Sequence, residues 1–151
     1  MLSHKLIRMI EEHWEAIASR VGNRIRHDPR LHHIRSLPDS ELEDRAREIV
    51  RNLGHWISDT KDKQLVERYE WIGRHRFQES FPLHETVHAL HLVKQGLFDF
   101  IREQGVGQTP VELYAEEELE HVVGNFFDEL VYHMVHGYEG AVRKAAGMEI
   151  G

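Results

Sequence analysis

The chain has 151 residues, the size of one domain with a real hydrophobic core. It has no cysteine, which excludes disulfides, thiolate metal sites and cysteine nucleophiles, and a formal charge of -7 argues against a phosphate-neutralising nucleic-acid surface. No apolar run approaches the roughly 20 residues of a membrane span, and charges follow the start too soon for a signal peptide. The expectation is a soluble cytoplasmic protein that contacts neither membrane nor nucleic acid.

The pattern is helical from end to end. Leu6, Ile10, Ile17, Val21 and Ile25 share one face, with Trp14 filling the gap, and predict a first helix. Asp28-Pro29 ends it, because a residue before proline avoids helical geometry. Leu31–Leu37 reads as a connector. Pro38-Asp39-Ser40-Glu41 starts a second helix, its acids suited to the N-terminal dipole, which buries Leu42, Ala46, Ile49, Leu53 and Trp56 or Ile57. Ser58-Asp59-Thr60 punctuates. A third helix runs from about Lys61 to Gln78 on Leu65, Tyr69, Ile72 and Arg76. A fourth starts near Pro82 and buries Leu83, Val87, Leu90, Leu97 and Ile101.

Gln104–Gln108 reads as a loop. Thr109-Pro110-Val111-Glu112 then forms a capping box with proline at the first helical position. The last helix is long, about Pro110 to Lys144, on Val111, Ala115, Leu119, Val122, Phe126, Leu130 and Met134. Gly124 and Gly137 inside it mark places where another helix could approach. Phe126 and Phe127, with Tyr132 and Tyr138, read as core or dimer interface. With no strand pattern and no repeat, the fold class is all-α: an antiparallel bundle of about five helices, with a globin-like arrangement open.

Thirteen histidines are the compositional outlier. His84, His88 and His91 lie at i, i+4 and i+7, one stripe on the fourth helix beside its apolar row. Such a stripe can answer to pH, because an unperturbed imidazole titrates near ~6.5. The same segment also carries metal-like spacing. Glu85-Thr86-Val87-His88 and Glu118-Leu119-Glu120-His121 are both Glu-x-x-His, the pair that di-iron and di-manganese bundles use with one further Glu from each of two other helices. Glu11, Glu12, Glu15, Glu67 and Glu70 could supply those. Against this, Glu85, His88, Glu118 and His121 flank the apolar rows, and 26 acids with 13 histidines make the spacing common by composition alone.

His84-Glu85-Thr86-Val87-His88 also matches the zinc hydrolase motif His-Glu-x-x-His, with His121, Glu118 or Glu129 as a third ligand. Pro82 places His84 in the first helical turn, whereas the hydrolase motif sits well inside a helix. Haem would need only one proximal histidine, but none of the thirteen stands out, and no Cys-x-x-Cys-His occurs. The reading is therefore no catalysis and no cofactor, with iron or zinc as the alternative.

Several short stretches resemble a known family. Trp14 in the first helix is similar to a tryptophan in the N-terminal helical domain of RsbRD-type stressosome co-antagonists. Ile72-Gly73-Arg74-His75-Arg76 followed by Phe81-Pro82-Leu83-His84-Glu85 resembles a "Gly-Arg-x-Arg … Pro-Leu-x-Glu" element of those domains. Phe126-Phe127-Asp128-Glu129 and Gly137-Tyr138-Glu139 resemble their closing stretch. The resemblance implies a non-catalytic helical input domain that dimerises and passes a signal to a protein partner or effector domain. With no effector expected within residues 1–151, the expectation is that the chain either acts alone or is one domain of a larger protein. The histidine at 84 falls at an unspecified position of the element. The matching residues also have plain physical roles: Gly73 admits a neighbouring helix, Arg74 and Arg76 suit a helix C-terminus, and Pro82 sets the restart.

Overall fold

The computed structural model describes residues 2–59, 61–104 and 109–147. The described residues are all-α, without strands: α1 (Leu2–Glu12), α2 (Trp14–His27), a 3₁₀ turn (Ile34–Ser36), α3 (Asp39–Val50), α4 (Leu53–Ser58), α5 (Lys63–Gln78), α6 (Leu83–Gln104) and α7 (Pro110–Ala145). None of these helices is long and apolar enough to cross a membrane. The expected punctuation at Thr60 and the expected loop at 105–108 lie outside the described residues.

Among the described residues there are seven α-helices rather than about five, because two expected helices break. The first breaks at His13, whose ring Nδ1 lies 2.8 Å from the Met9 carbonyl and bonds it beside the backbone amide. A side chain that competes for the i-4 carbonyl bends a helix. The second breaks at Arg51-Asn52. The break drives Leu53 fully into the core and turns α4 onto α1, where the Gly54 amide donates to Glu11 at 3.0 Å. The Trp56 indole N–H donates to the Glu48 carbonyl at 2.9 Å, satisfying a group that the end of α3 leaves open.

α6 is the central helix. It runs antiparallel to α2, joined by Arg20–Glu103 at 2.9 Å and by Arg24–Asp99. It runs antiparallel to α7 as well: Arg102 pairs with Glu120 at 3.0 Å, and Phe98 lies 3.9 Å from where a Cβ on Gly124 would stand. α7 packs most extensively on α5. There Gly73 and Gly137 let two backbones touch. A Cβ on Gly73 would stand 2.0 Å from the Met134 carbonyl oxygen, and one on Gly137 would stand 2.1 Å from that of Glu70. Gly124 faces no such approach.

The buried row of α7 is Leu119, Val123, Phe126, Phe127, Leu130, Met134 and Gly137. Val111, expected in the core, is 69% exposed. The α6–α7 register explains this: α6 ends at Gln104, opposite Glu118, so the first turns of α7 have no α6 beside them. Val122 and Ala115 are only half-buried for the same change of phase and register. Phe126 and Phe127 are core residues, packed edge-to-face at 5.4 Å, rather than a dimer surface. Each such side chain, fully buried, contributes roughly 1.5–3 kcal/mol. At the head of α7, Thr109 accepts from the Glu112 amide at 3.2 Å as expected. The Glu112 carboxylate, however, takes the Thr109 hydroxyl at 2.9 Å rather than its amide.

Candidate functional site

The site is built around the α5–α6 break. The chain leaves α5 through a six-residue closing loop, in which the Phe81 amide donates to Arg76 and the Ser80 amide to Phe77, both at 2.9 Å. This places Ser80 in left-handed geometry, with φ 65°. Ser80→Gly is therefore expected to raise stability by about 1 kcal/mol, read as a higher melting temperature. Phe81 is tied down on both sides: the Arg76 guanidinium lies 5.4 Å from its ring centre, and the Tyr138 hydroxyl of α7 donates to its carbonyl at 2.6 Å. Arg76 is buried and pairs with Glu41 at 3.1 Å and Glu79 at 2.7 Å. Arg74 is exposed.

Pro82 and the restart put Glu85 in the first turn of α6, but it does not flank the core as expected. It is 2% exposed and reaches across to the connector. One carboxylate oxygen accepts from the His33 amide at 2.8 Å and the Ile34 amide at 3.2 Å; the other lies 2.5 Å from His33 Nδ1. Glu85 thus caps the 3₁₀ turn from a helix fifty residues away. Burial pushes its carboxyl up, but the His33 ring and the two amides outweigh that and hold it below the usual range.

A second tie lies one helical turn on. His88 Nε2 is 2.7 Å from Asp28 Oδ2, at the end of α2. Asp28 also accepts from the Arg30 amide at 2.9 Å. The Arg30 amide first, then His88, hold Asp28 down at about 2. His91 stacks beside His88 at 6.2 Å and meets Gln95 at 3.1 Å. Its pKa is lowered by burial first, then by Lys94, His88 and Arg30. His84 is exposed. The expected stripe is therefore divided: His88 is engaged, while His84 and His91 are exposed, His91 beside Lys94 and Arg30.

These shifts set a pH dependence. All three folded-state values lie below their unfolded ones, so each group's stabilisation is present above its unfolded pKa and is lost as pH falls. Melting temperature should decline first as pH drops below about 6.5, through His91, and more steeply below about 4, through Glu85 and Asp28. Thermal melts from pH 7 to 3 read this out, with His91→Gln flattening the upper limb. An unchanged melting temperature down to pH 5 would count against it.

The two ties hold one wall of an apolar cavity of about 70 Å³. Ile34 and Leu37 come from the connector, Leu90 and Val93 from α6, Ile49 from α3 and Met134 from α7. Arg45, Tyr69 and Arg76 add polar groups. Burial raises the Tyr69 hydroxyl far above its ordinary value, which keeps it neutral. Gly22 and Leu42 line both this cavity and an open groove between α2 and α3.

The expected metal donors are not gathered. Glu85 and His88 turn to the connector, while Glu118 and His121 are exposed on α7, where His121 meets Asn125 at 3.3 Å. Glu129 lies 3.4 Å from His133 and Glu70 lies 3.2 Å from His136. Among the described residues no group of three or more His, Asp or Glu side chains is placed to share a metal ion. The His-Glu-x-x-His spacing is likewise divided, its glutamate buried between its two histidines' different directions. Trp14 is half-buried under Arg47, whose guanidinium lies 5.8 Å from the ring centre.

Sequence reasoning passed over Asp28, His33 and Arg45. Asp28 was read only as a helix end. The faint signal was the connector Leu31-His32-His33-Ile34, where two histidines stand between apolar residues that are both buried.

Residues 6–150 match the family model described as the RsbT co-antagonist protein rsbRD N-terminal domain. No curated protein and no solved structure matches the chain.

Proposed function

The chain belongs to this family of signalling co-antagonist domains, and from that membership we propose that it is a stressosome-type signal-input domain without catalysis of its own. It acts by protein–protein contact, as a homodimer in the cytoplasm, on an RsbT-type partner or an effector domain. The observation that carries this reading is a family match spanning nearly the whole chain. The site suits it. The buried ties at Glu85 and Asp28 join α6 to the connector across a cavity, so a change in the cavity would reach the central helix directly.

Sedimentation of the purified chain should give twice its 17.8 kDa mass, and an immobilised RsbT-type partner should retain it. A monomer that binds no such partner would overturn the reading. So would stoichiometric zinc or iron, in protein purified without a tag, that is lost on His88→Ala.

A further inference from the structure

One polar group in the cavity wall has no structural account. The Nε of Arg45 is buried without a hydrogen-bond partner, the one such side-chain atom among the described residues. Buried polar atoms left unpaired are rare and call for an explanation; this one is closed even to water, so a ligand oxygen reaches it only as the wall shifts. The rest of the guanidinium is partly served: the side chain is 22% exposed and lies 5.9 Å from the Trp71 ring centre. Its Nη1 lies 3.4 Å from Glu48, and Glu48 is already held by Arg68 at 3.0 and 3.3 Å. One carboxylate therefore answers two guanidiniums. Arg76, also in the wall, is occupied by Glu41 and Glu79. Burial bears on Arg45 first and like charge from Arg68 and Arg76 next, with Glu48 only partly opposing them.

We propose that this cavity binds a short-chain monocarboxylate, its carboxylate on Arg45 and its alkyl chain against Val21, Ile49, Leu90 and Val93. The chemistry follows from the lining, which is apolar except at the arginine, tyrosine and threonine side chains. The volume limits the size: about 70 Å³ is roughly half of the ~150 Å³ that admits benzene, which confines the ligand to the shortest acids, with propionate at the upper end. A guanidinium pairs with a carboxylate through directed, charge-assisted hydrogen bonds, which a neutral ligand does not offer.

The rim adds selectivity. The groove that shares Gly22 and Leu42 with the cavity carries Glu15, Glu43 and Asp39, of which Asp39 pairs with Arg26. Further negative charge on the ligand would be repelled there, so a dicarboxylate is disfavoured. Gly22 lines both spaces, and a Cβ there would meet nothing within 4 Å, so the position has room for a side chain.

As the signal for the input domain, the ligand rests on the function proposed above; as a bound molecule, it is tested separately. The experiment titrates the full chain with sodium propionate and follows backbone amide resonances. Saturable shifts are expected at Ile49 and Val93, with propionamide and succinate at least tenfold weaker. Arg45→Met should weaken propionate at least tenfold. Gly22→Leu, which adds bulk where there is space, should abolish binding and carries the test if the arginine variant does not fold. No saturable shift, equal binding of propionamide, or unchanged binding by both variants would overturn the proposal. Propionate bound by a chain that engages no partner overturns the signalling reading and leaves the site standing. Partner binding without propionate binding does the reverse.

Discussion

Gly137→Ala is expected to lower stability by at least about 3 kcal/mol, a fall of roughly 6–12 °C in melting temperature for a domain of this size. The added methyl would stand 2.1 Å from the Glu70 carbonyl oxygen and 2.7 Å from the carbon that bears it. Neither is the tip of a flexible side chain. Both belong to the α5 backbone, so relief requires the two helices to move apart. That movement would also loosen Tyr69, Ile72, Leu130 and Met134, all buried on these two helices. Gly73→Ala should behave alike, with the Met134 carbonyl oxygen at 2.0 Å. Gly124→Ala is the control. Its methyl would meet only the Phe98 ring at an ordinary 3.9 Å, and alanine is the better helix former by about 1 kcal/mol, so this variant should melt higher. Equal melting of the Gly124 and Gly137 variants would refute the close approach of α5 and α7.

The second large effect concerns Glu85. Glu85→Ala should cost about 3 kcal/mol, because it removes the acceptor for the His33 and Ile34 amides and leaves a void at a site only 2% exposed. Glu85→Gln keeps one carbonyl oxygen for the two amides and should cost only about 1 kcal/mol. His33→Ala should cost less than Glu85→Ala, since its side chain is half exposed and both amides stay paired. Chemical denaturation of the three variants gives the order. If Glu85→Ala proves no worse than His33→Ala, the amides do not depend on the carboxylate. Amide exchange at Ile34 offers a second measure, since that amide should lose protection only when the acceptor is gone.

Much of the fold was legible because it rests on local rules. The helix break at Ser80–Pro82, the Thr109 cap and the length of α7 follow from proline, capping chemistry and 3.6-residue periodicity. The Ile72–Glu85 element pointed to the family, and the match over residues 6–150 bears that out. Other features were not legible. The break at His13 depends on a ring turning back to Met9, and the break at Arg51–Asn52 on Leu53 finding a place in the core. The phase of α7 slipped from Val122 to Val123 because both are apolar, and only the helix packed alongside selects between them.

The candidate site shows the same division. Periodicity alone placed Glu85 and His88 near one another on a helix beside its apolar row. It could not show that Glu85 is buried, since a carboxylate enters a core only where donors wait for it. Those donors are backbone amides of His33 and Ile34, and an amide has no letter in the sequence. Arg45 was invisible for a related reason: its significance is a missing partner, which exists only once the neighbours are placed. Composition and periodicity thus determined an all-α chain and the position of its main break, because those depend on forces within a few turns of helix. The tertiary structure decided which polar groups are buried, which helices touch and where a cavity remains, because each depends on atoms far apart in sequence.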